Sequence, residues 1–297
     1  MTTAESHSDA SARAPRTARK SLLALALSAL LLGTGLGAWS FLIEPDLVTV
    51  TEVPLETSKW PAGRAPLKIV ALADLHTGAP HVDVAKLDEV VAEINGLEPD
   101  IVVLLGDYVI QGVLGGRFVA PEETARSLAA LAPAQGTYAV LGNHDWWHDG
   151  DQVRAALESA GIVVLDDQAV RLALPDGPIW IAGIADDMTQ NPNPRRVIRP
   201  IPKDEPVIAI AHDPAVFPDV PQRVVVTLAG HTHGGQVYIP FYGAPVIPGR
   251  APRRYAYGHI RENGKDLYVS SGLGTSILPV RFNMPPEIAV ITLVDQP

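Results

Sequence analysis

Residues 68–76, KIVALADLH, contain the pattern that decides the fold of this chain. An apolar run typical of a buried strand stops abruptly in Asp74 and His76. Similar apolar runs predict further strands at 101–105, 137–141, 179–184, 207–211, 224–229, 266–269 and 288–294. Helical patterns lie between several of them, at about 82–95, 121–131 and 151–159. Because strand and helix alternate first and strands dominate later, we predict an α/β fold of two packed sheets with helices outside.

Polar side chains gather where these strands stop. They are Asp74 and His76 after the first strand, Asp107 after the second, Asn143, His144 and Asp145 after the third, His212 after 207–211, and His231 and His233 after 224–229. Residues two apart in an extended segment point the same way, so each Asp-x-His or His-x-His pair is expected to face one side. The carboxyl ends of strands are where α/β sheets bind ligands.

The residue types in these blocks suit a metal centre. Imidazole, carboxylate and amide ligands together favour Mn²⁺, Fe²⁺ or Zn²⁺ over Mg²⁺ or Ca²⁺. Seven ligands exceed the need of one four-coordinate zinc and suit two adjacent divalent ions that share a bridging carboxylate. Such a pair can clamp a displacement at phosphorus and supply a hydroxide as nucleophile. Each block alone has a structural alternative: Gly106-Asp107 is typical of a turn, and Asn143-His144-Asp145 of a helix N-cap.

Composition excludes several other chemistries. The 297 residues include no cysteine, so disulfides, thiolate metal sites and a cysteine nucleophile are ruled out. With 23 Lys and Arg against 33 Asp and Glu, the net charge is −10, which argues against a surface that binds long nucleic acid. A small anionic substrate remains possible because bound dications can invert the local field.

The N-terminal segment predicts a membrane anchor. Residues 21–43 contain no charged side chain and, as a helix, would span roughly 34 Å. Basic residues precede this run and acidic residues follow it, so the positive-inside rule places the N-terminus in the cytoplasm. We therefore expect a cytoplasmic tail (1–20), a transmembrane signal anchor (21–43), a linker with an early strand (44–65) and an extracytoplasmic domain (66–297). The alternative is a signal peptide that is cleaved, giving a secreted protein.

In these blocks the sequence resembles the calcineurin-like metallophosphoesterase superfamily. The resemblance implies a four-layer α/β/β/α sandwich with a dinuclear metal site at its edge. It implies that Asp74, His76 and His233 hold one metal, that Asn143, His212 and His231 hold the other, and that Asp107 bridges them. It also implies that His144, which is not a ligand, protonates the leaving oxygen or stabilises phosphoryl charge. A carboxylate beside an imidazole commonly orients it, so Asp145 is predicted to orient His144.

Departures from the family pattern argue against two subfamilies of this superfamily. The second block lacks the arginine of phosphoprotein phosphatases, and Ile110 stands where purple acid phosphatases have an iron-binding tyrosine. The motif from Gly230 to Gln236 and the segment from Arg281 to Glu287 resemble the membrane-associated bacterial branch, some of whose members are related to UDP-diacylglucosamine pyrophosphatase-like hydrolases. The substrate in that label is an analogy only.

Two basic segments are candidates for binding the substrate. Arginines cluster in 191–200 and in 239–254, and Arg250 and Arg253 of the second are our candidates for holding a second phosphate or an anionic head group. The alternative is that both segments are solvated loops. Trp146 and Trp147 are candidates either for an apolar wall beside a lipid or sugar, or for packing.

The combined prediction is a membrane-anchored phosphohydrolase that depends on two divalent metal ions. Its substrate is expected to be a small anionic phosphoester, with phosphodiester or pyrophosphate bonds of lipid or envelope intermediates preferred because of the location. Two alternatives remain open: a non-catalytic metal-binding envelope module, and a nuclease of the same superfamily. No nucleic-acid partner is expected.

Overall fold

The computed structural model describes residues 16–296, which fall into two units divided between residues 39 and 40. In the first unit, helix α1 runs from Arg16 to Ala38, and its described side chains are largely exposed. A π-helical turn, Trp39–Ile43, follows α1 in the chain. Among the described residues, Arg19–Asp46 is the one helical stretch that is long and apolar enough to cross a membrane.

The second unit consists of two six-stranded sheets and four helices. Its strands are β1 (Thr49–Thr57), β2 (Leu67–Leu72), β3 (Ile101–Leu104), β4 (Thr137–Ala139), β5 (Val163–Val164), β6 (Gln168–Leu174), β7 (Gly177–Ile184), β8 (Val207–Ala211), β9 (Val226–Ala229), β10 (Gly258–Glu262), β11 (Lys265–Val269) and β12 (Glu287–Asp295). Its helices are α2 (Val84–Gly96), α3 (Pro121–Leu128), α4 (Asn143–Ser159) and α5 (Pro194–Ile198).

Most neighbouring strands in each sheet run parallel. The first sheet has the order β1-β12-β2-β3-β4-β5, and β2 to β5 are parallel. The second has the order β10-β11-β9-β8-β7-β6, and β7, β8, β9 and β11 are parallel. The carboxyl ends of β2, β3 and β4 therefore share one edge of the first sheet, and those of β8 and β9 share one edge of the second.

The core has three layers of apolar side chains. Ile69 and Val103 of the first sheet meet Ile181 and Ile210 of the second in the central layer, all fully buried. The outer face of the first sheet packs under α2, α3 and α4. The outer face of the second is covered by the short α5 and by a 3-10 turn, Pro214–Asp219, so this fourth layer is thin. The predicted α/β/β/α architecture is confirmed.

The folded unit includes more of the N-terminal half than we predicted. The early strand expected within 44–65 is β1, which pairs in parallel with β12 along nine residues. Trp60, in the same segment, is 2% exposed in the central core. Residues 44–65 lie within the second unit, and β1 is their strand. The short or irregular strands β5, β6 and β10 were not predicted.

Candidate metal centre

The proposed ligands follow strands of both sheets. Asp74 and His76 follow β2, Asp107 follows β3, Asn143 begins α4 just after β4, His212 follows β8, and His231 and His233 follow β9. All seven side chains are buried. The two sheets pack face to face, so residues distant in sequence meet at one edge.

Backbone turns, and not strand alternation, aim these side chains. Asp74 and His76 have φ values of 52° and 42°, and His231 and His233 have values of 68° and 51°. Asp107 is also left-handed, with a φ of 58°. Non-glycine residues rarely adopt this region, and such strain is concentrated at functional sites. The predicted convergence occurs, but the expected extended geometry at these pairs is wrong.

The ligand atoms form two groups that meet at Asp107. In one group, His233 Nε2 lies 3.2 Å from His76 Nε2 and 3.7 Å from Asp74 Oδ1. In the other, His212 Nε2 lies 3.0 Å from His231 Nδ1 and 3.1 Å from Asn143 Oδ1. Asp107 Oδ2 lies 3.7 Å from His76 Nε2 and 3.2 Å from His212 Nε2. The Asp107 carboxylate is thus within reach of both groups.

The hydrogen bonds of the histidine rings indicate whether cations fit in the cluster. The Nδ1 atoms of His76, His212 and His233 lie within 3.3 Å of backbone carbonyl oxygens, which places the ring protons there. The Nε2 lone pairs of His76 and His233 then face each other at 3.2 Å, whereas His212 Nε2 points at the oxygen atoms of Asp107 and Asn143. Divalent cations between the rings would resolve that repulsion, and this outer arrangement is typical of histidines that bind metals.

Protonation states agree with this fit. Burial lowers the pKa of His76 to about 4 and that of His231 to about 3, so both rings are neutral near pH 7. Burial also lowers the pKa of His233. Burial alone would raise the pKa of Asp107 and lower that of His212, but their mutual attraction reverses both directions. Without a cation His212 therefore keeps a proton beside Asp107, which a bound cation would displace. With that displacement, the residues present suit two divalent cations.

His144 borders the cluster on the open side. Its ring packs edge-on against His76 at 4.7 Å between centroids and lies 5.0 Å from the Trp147 ring. Its backbone N–H donates to Asp107 Oδ1 at 2.9 Å. Its Nδ1 is buried and has no hydrogen-bond partner among the described residues. A ring held this way can accept or deliver a proton at the cavity.

We predicted that Asp145 orients the His144 ring, but the Asp145 carboxylate has other partners. Its Oδ2 accepts from the backbone N–H groups of Asp107 and Gly142, and its Oδ1 accepts from those of Tyr108 and Val109. The carboxylate therefore caps the first turn of α4 and clamps the Asp107 loop. The alternative of a helix N-terminus at this motif is correct as well, because Asn143 and His144 begin α4.

Glycines allow close approach of the backbone around the ligands. A Cβ at Gly272 would lie 2.7 Å from Asp74 Cβ, and one at Gly106 would lie 2.8 Å from His212 Nδ1. Arg281, fully buried, donates to the carbonyl oxygens of Ser271, Gly272 and Gly274. Arg281 thus holds the glycine loop against the first group of ligands.

Two carboxylates near the cluster were missed by the sequence analysis. Asp213 is fully buried, and its Oδ2 lies 3.8 Å from His231 Nε2, the ring nitrogen that points away from the cluster. Asp186, 1% exposed, follows β7 and accepts from Thr189. The signal was available, because Asp186 comes just after a strand and Asp213 directly follows a predicted ligand.

An open cavity of about 250 Å³ adjoins the cluster. His144, Trp147, Met188, Gln111 and Ile277 line it together with several of the ligands. A second, apolar groove of about 440 Å³ shares His233, Pro248, Ser276 and Ile277 with this cavity and extends along Val246, Leu278 and Val280. The cavity therefore opens onto an apolar surface beside the ligands.

The arginines and tryptophans predicted to contact substrate are only partly at this cavity. Arg253 lies over the Tyr242 ring, donates to the carbonyl of Ala244 and lines a different cavity, and its role in binding substrate stays a prediction. Arg250 is 81% exposed and lies 4.0 Å from Asp187, and its role stays a prediction. Trp147 lines the cavity, whereas Trp146 packs in the core under the helices.

The fold has two packed β-sheets, and buried histidines, aspartates and an asparagine lie at the ends of their strands. This fold and this site define a metal-dependent hydrolase of phosphoesters. The chain belongs to the calcineurin-like phosphoesterase family, which residues 67–235 match.

Relatives support this membership. The chain is 34% identical over 273 residues to the uncharacterized metallophosphoesterase YkuE of Bacillus subtilis, covering 91% of this chain and 93% of that protein. It is 33% identical over 239 residues to phosphodiesterase YaeI of Escherichia coli, covering 77% and 83%. It is 29% identical over 293 residues to the zebrafish (Danio rerio) transmembrane protein with metallophosphoesterase domain, covering 93% and 63%. The predictions of family and of enzyme class are confirmed.

Proposed function

We propose that this protein is a phosphodiesterase that depends on two divalent cations. The observation that carries the proposal is the buried cluster in which imidazole nitrogens of both ligand groups lie within 3.7 Å of the Asp107 carboxylate. The similarity to a protein named phosphodiesterase supports diesters as the substrates. When bound, the cations supply Lewis acidity toward phosphoryl oxygens and lower the pKa of water at the site.

Different side chains would bind the cations and donate the proton. Asp74, His76 and His233 would hold one cation, and Asn143, His212 and His231 the other, with Asp107 shared between them. His144 lies at the cavity edge, where the leaving group of a bound substrate would depart. As the water oxygen bonds to phosphorus and loses a proton to solvent, the ester P–O bond breaks and His144, in its protonated form, would deliver a proton to the leaving oxygen.

The apolar groove supports a substrate with an aliphatic portion. Because the groove shares His233 and Ile277 with the cavity, a chain attached to the reacting phosphate can lie along Val246 and Leu278. Burying such a chain contributes about 0.8 kcal/mol for each methylene. The proposed substrate class is therefore a lipid-linked phosphodiester or pyrophosphate.

The N-terminal helix supports placement at a membrane. An apolar helix together with relatives named transmembrane proteins indicates a membrane protein. The distribution of charge around 21–43 supports a cytoplasmic N-terminus and an extracytoplasmic catalytic unit.

The test of the central proposal is Asp107→Asn in the full chain. Losing the shared carboxylate should lower the metal content, measured by elemental analysis of the purified protein. Substituting a residue that only supports a metal ligand typically lowers metal affinity or activity 10–100-fold. Because Asp107 is itself a proposed ligand, we expect the rate of hydrolysis of bis(p-nitrophenyl) phosphate to fall at least about 100-fold. Asp151→Asn, at an exposed position on α4, is the matched control and should keep both. Full activity without bound metal in Asp107→Asn would refute the proposal.

The groove is tested by Leu278→Glu. A charge there should lower kcat/KM for a p-nitrophenyl phosphodiester with a long alkyl chain by roughly tenfold or more, because an apolar chain would meet a carboxylate. Hydrolysis of bis(p-nitrophenyl) phosphate should stay unchanged. Leu114→Glu, at a leucine that is also exposed but lies outside the groove, is the control. Equal effects on both substrates would exclude the groove as the binding site.

A further inference from the structure

The segment Tyr238–Val246 forms an exposed apolar loop with a tight turn. Ile239 and Gly243 pair through two backbone hydrogen bonds of 3.1 and 2.8 Å, and Phe241 at the tip has a φ of 67°. Phe241 is fully exposed, Val246 is 74% exposed and Tyr242 is 62% exposed. Large apolar side chains concentrated in this way on a surface mark an interaction site.

The loop is held firmly in this exposed position. The N–H of Tyr238 donates to the carbonyl of Phe282 at 2.8 Å, and the Asn283 side chain donates to the carbonyl of Tyr238. The Arg253 guanidinium lies 4.8 Å from the centroid of the Tyr242 ring. These contacts fix the aromatic side chains outward at little further cost in conformational entropy on binding.

The loop lies beside the point where the chain enters the folded unit. Ser40, the first residue of that unit, accepts a hydrogen bond of 2.9 Å from the N–H of Arg281, and the next residue, Phe282, pairs with the loop. Phe41, Leu42 and Ile43 follow Ser40 and are 40%, 67% and 44% exposed. Two exposed apolar segments are thus joined through residues 281 and 282.

The charge around the loop also bears on what the loop binds. Residues 237–254 contain three arginines and no acidic residue, in a chain whose net charge is −10. Arg254 pairs with Glu262, Arg250 is 81% exposed and 4.0 Å from Asp187, and Arg253 lies over the Tyr242 ring of the loop. Aromatic side chains flanked by arginines are typical of protein surfaces at the boundary between lipid head groups and acyl chains. The apolar run that precedes Ser40 in the sequence would keep such a boundary close to this surface.

We propose that the loop Tyr238–Val246 is a second membrane contact, which inserts its aromatic tip into the surface of the lipid bilayer together with the exposed apolar residues 41–43 of the same unit. Val246 belongs both to this loop and to the apolar groove, so insertion would bring the mouth of the groove to the lipid. This consequence rests on the proposed function, whereas the membrane contact does not.

The test uses the absence of cysteine from the chain. Phe241→Cys is labelled with the fluorophore NBD in the full chain and reconstituted in nanodiscs of phosphatidylcholine and phosphatidylglycerol. Lipids with a nitroxide near the top of the acyl chain report insertion, because an inserted loop reaches about 5–10 Å into the head-group boundary. Lys203→Cys, exposed near the opposite end of β8 from His212, carries the same label as a control.

The label at 241 should be quenched by the nitroxide lipid and shielded from aqueous iodide, and the label at 203 should show the reverse. Tyr242→Cys gives a second reading at a neighbouring position if Phe241→Cys does not fold. Iodide quenching at 241 and 242 equal to that at 203, with no quenching by the lipid, would overturn the proposal, as expected if the loop instead binds a protein or a second copy of the chain. Hydrolysis of bis(p-nitrophenyl) phosphate, measured on the same samples, reports separately on the proposed function.

Discussion

Asp107 lies where the two groups of ligands meet, and its surroundings explain its conformation. It has a left-handed backbone, its N–H donates to Asp145, and its Oδ1 accepts from the N–H of His144. Its Oδ2 therefore remains directed at the imidazoles of both groups. A buried carboxylate in this position needs positive partners. His212 supplies one through its raised pKa, and the neutral rings of His76 and His231 leave further charge for bound cations to supply.

His144→Ala tests the division of roles at the residue scale. We expect kcat to fall by about 10²–10⁴-fold, the usual contribution of a general acid, while metal content stays at the parent value. The loss should be larger for an alkyl leaving group than for p-nitrophenolate, which departs without a proton. His148→Ala, at an exposed position on the same helix, is the control. A loss of metal in His144→Ala would instead make His144 a ligand.

Short loops after strands determine the geometry of the site at the scale of elements. The turns after β2 and β9 are left-handed at alternate residues, and the glycine loop after β11 packs directly on them. Arg281 fastens that loop with hydrogen bonds to three of its carbonyl groups. Buried hydrogen bonds from a charged donor are stronger than neutral ones, so the loop is a firm support for Asp74.

Gly272→Ala tests this support. The residue has a φ of 70°, and its new Cβ would lie 2.7 Å from Asp74 Cβ, so Asp74 has to move. We expect reduced metal content and a free energy of unfolding lower by about 1–3 kcal/mol, measured by denaturant titration. Gly63→Ala has a similar φ of 77° but open space around the Cβ, and it separates backbone strain from displacement of the ligand. Equal metal loss in both variants would contradict the role of the loop.

Two packed sheets create the site at the scale of the whole molecule. Each sheet supplies about half of the ligands, so neither sheet binds two cations without the other. The second unit also includes β1 and the turn after Ser40, which connect the apolar N-terminal segment to the sheet that carries β2 and β3.

Membrane orientation is a prediction at this scale. In intact cells, Asp151→Cys should react with a maleimide that does not cross membranes, because the positive-inside rule places the folded unit outside the cytoplasm. Ala4→Cys, in the basic N-terminal segment, should react only after the cells are permeabilised. The opposite pattern would place the catalytic unit in the cytoplasm.

Sequence patterns predicted the parts of the molecule that depend on local order. Apolar runs identified most strands, and the polar residues at their ends identified the seven candidate ligands, because burial and strand termination act on neighbouring residues. The start of α4 at Asn143 was predicted only as an alternative, and β5, β6 and β10 escaped these patterns, since their stability comes from packing against distant segments.

Only the tertiary structure decided which groups meet. The partners of Asp145 are backbone N–H groups around residues 107 and 142, not the adjacent His144, and Arg253 faces Tyr242 and not the ligands. The apolar groove and the exposed loop beside Ser40 likewise combine residues far apart in the chain. Hydrophobic periodicity specifies which face of an element is buried, but the direction of a side chain after a turn depends on long-range packing.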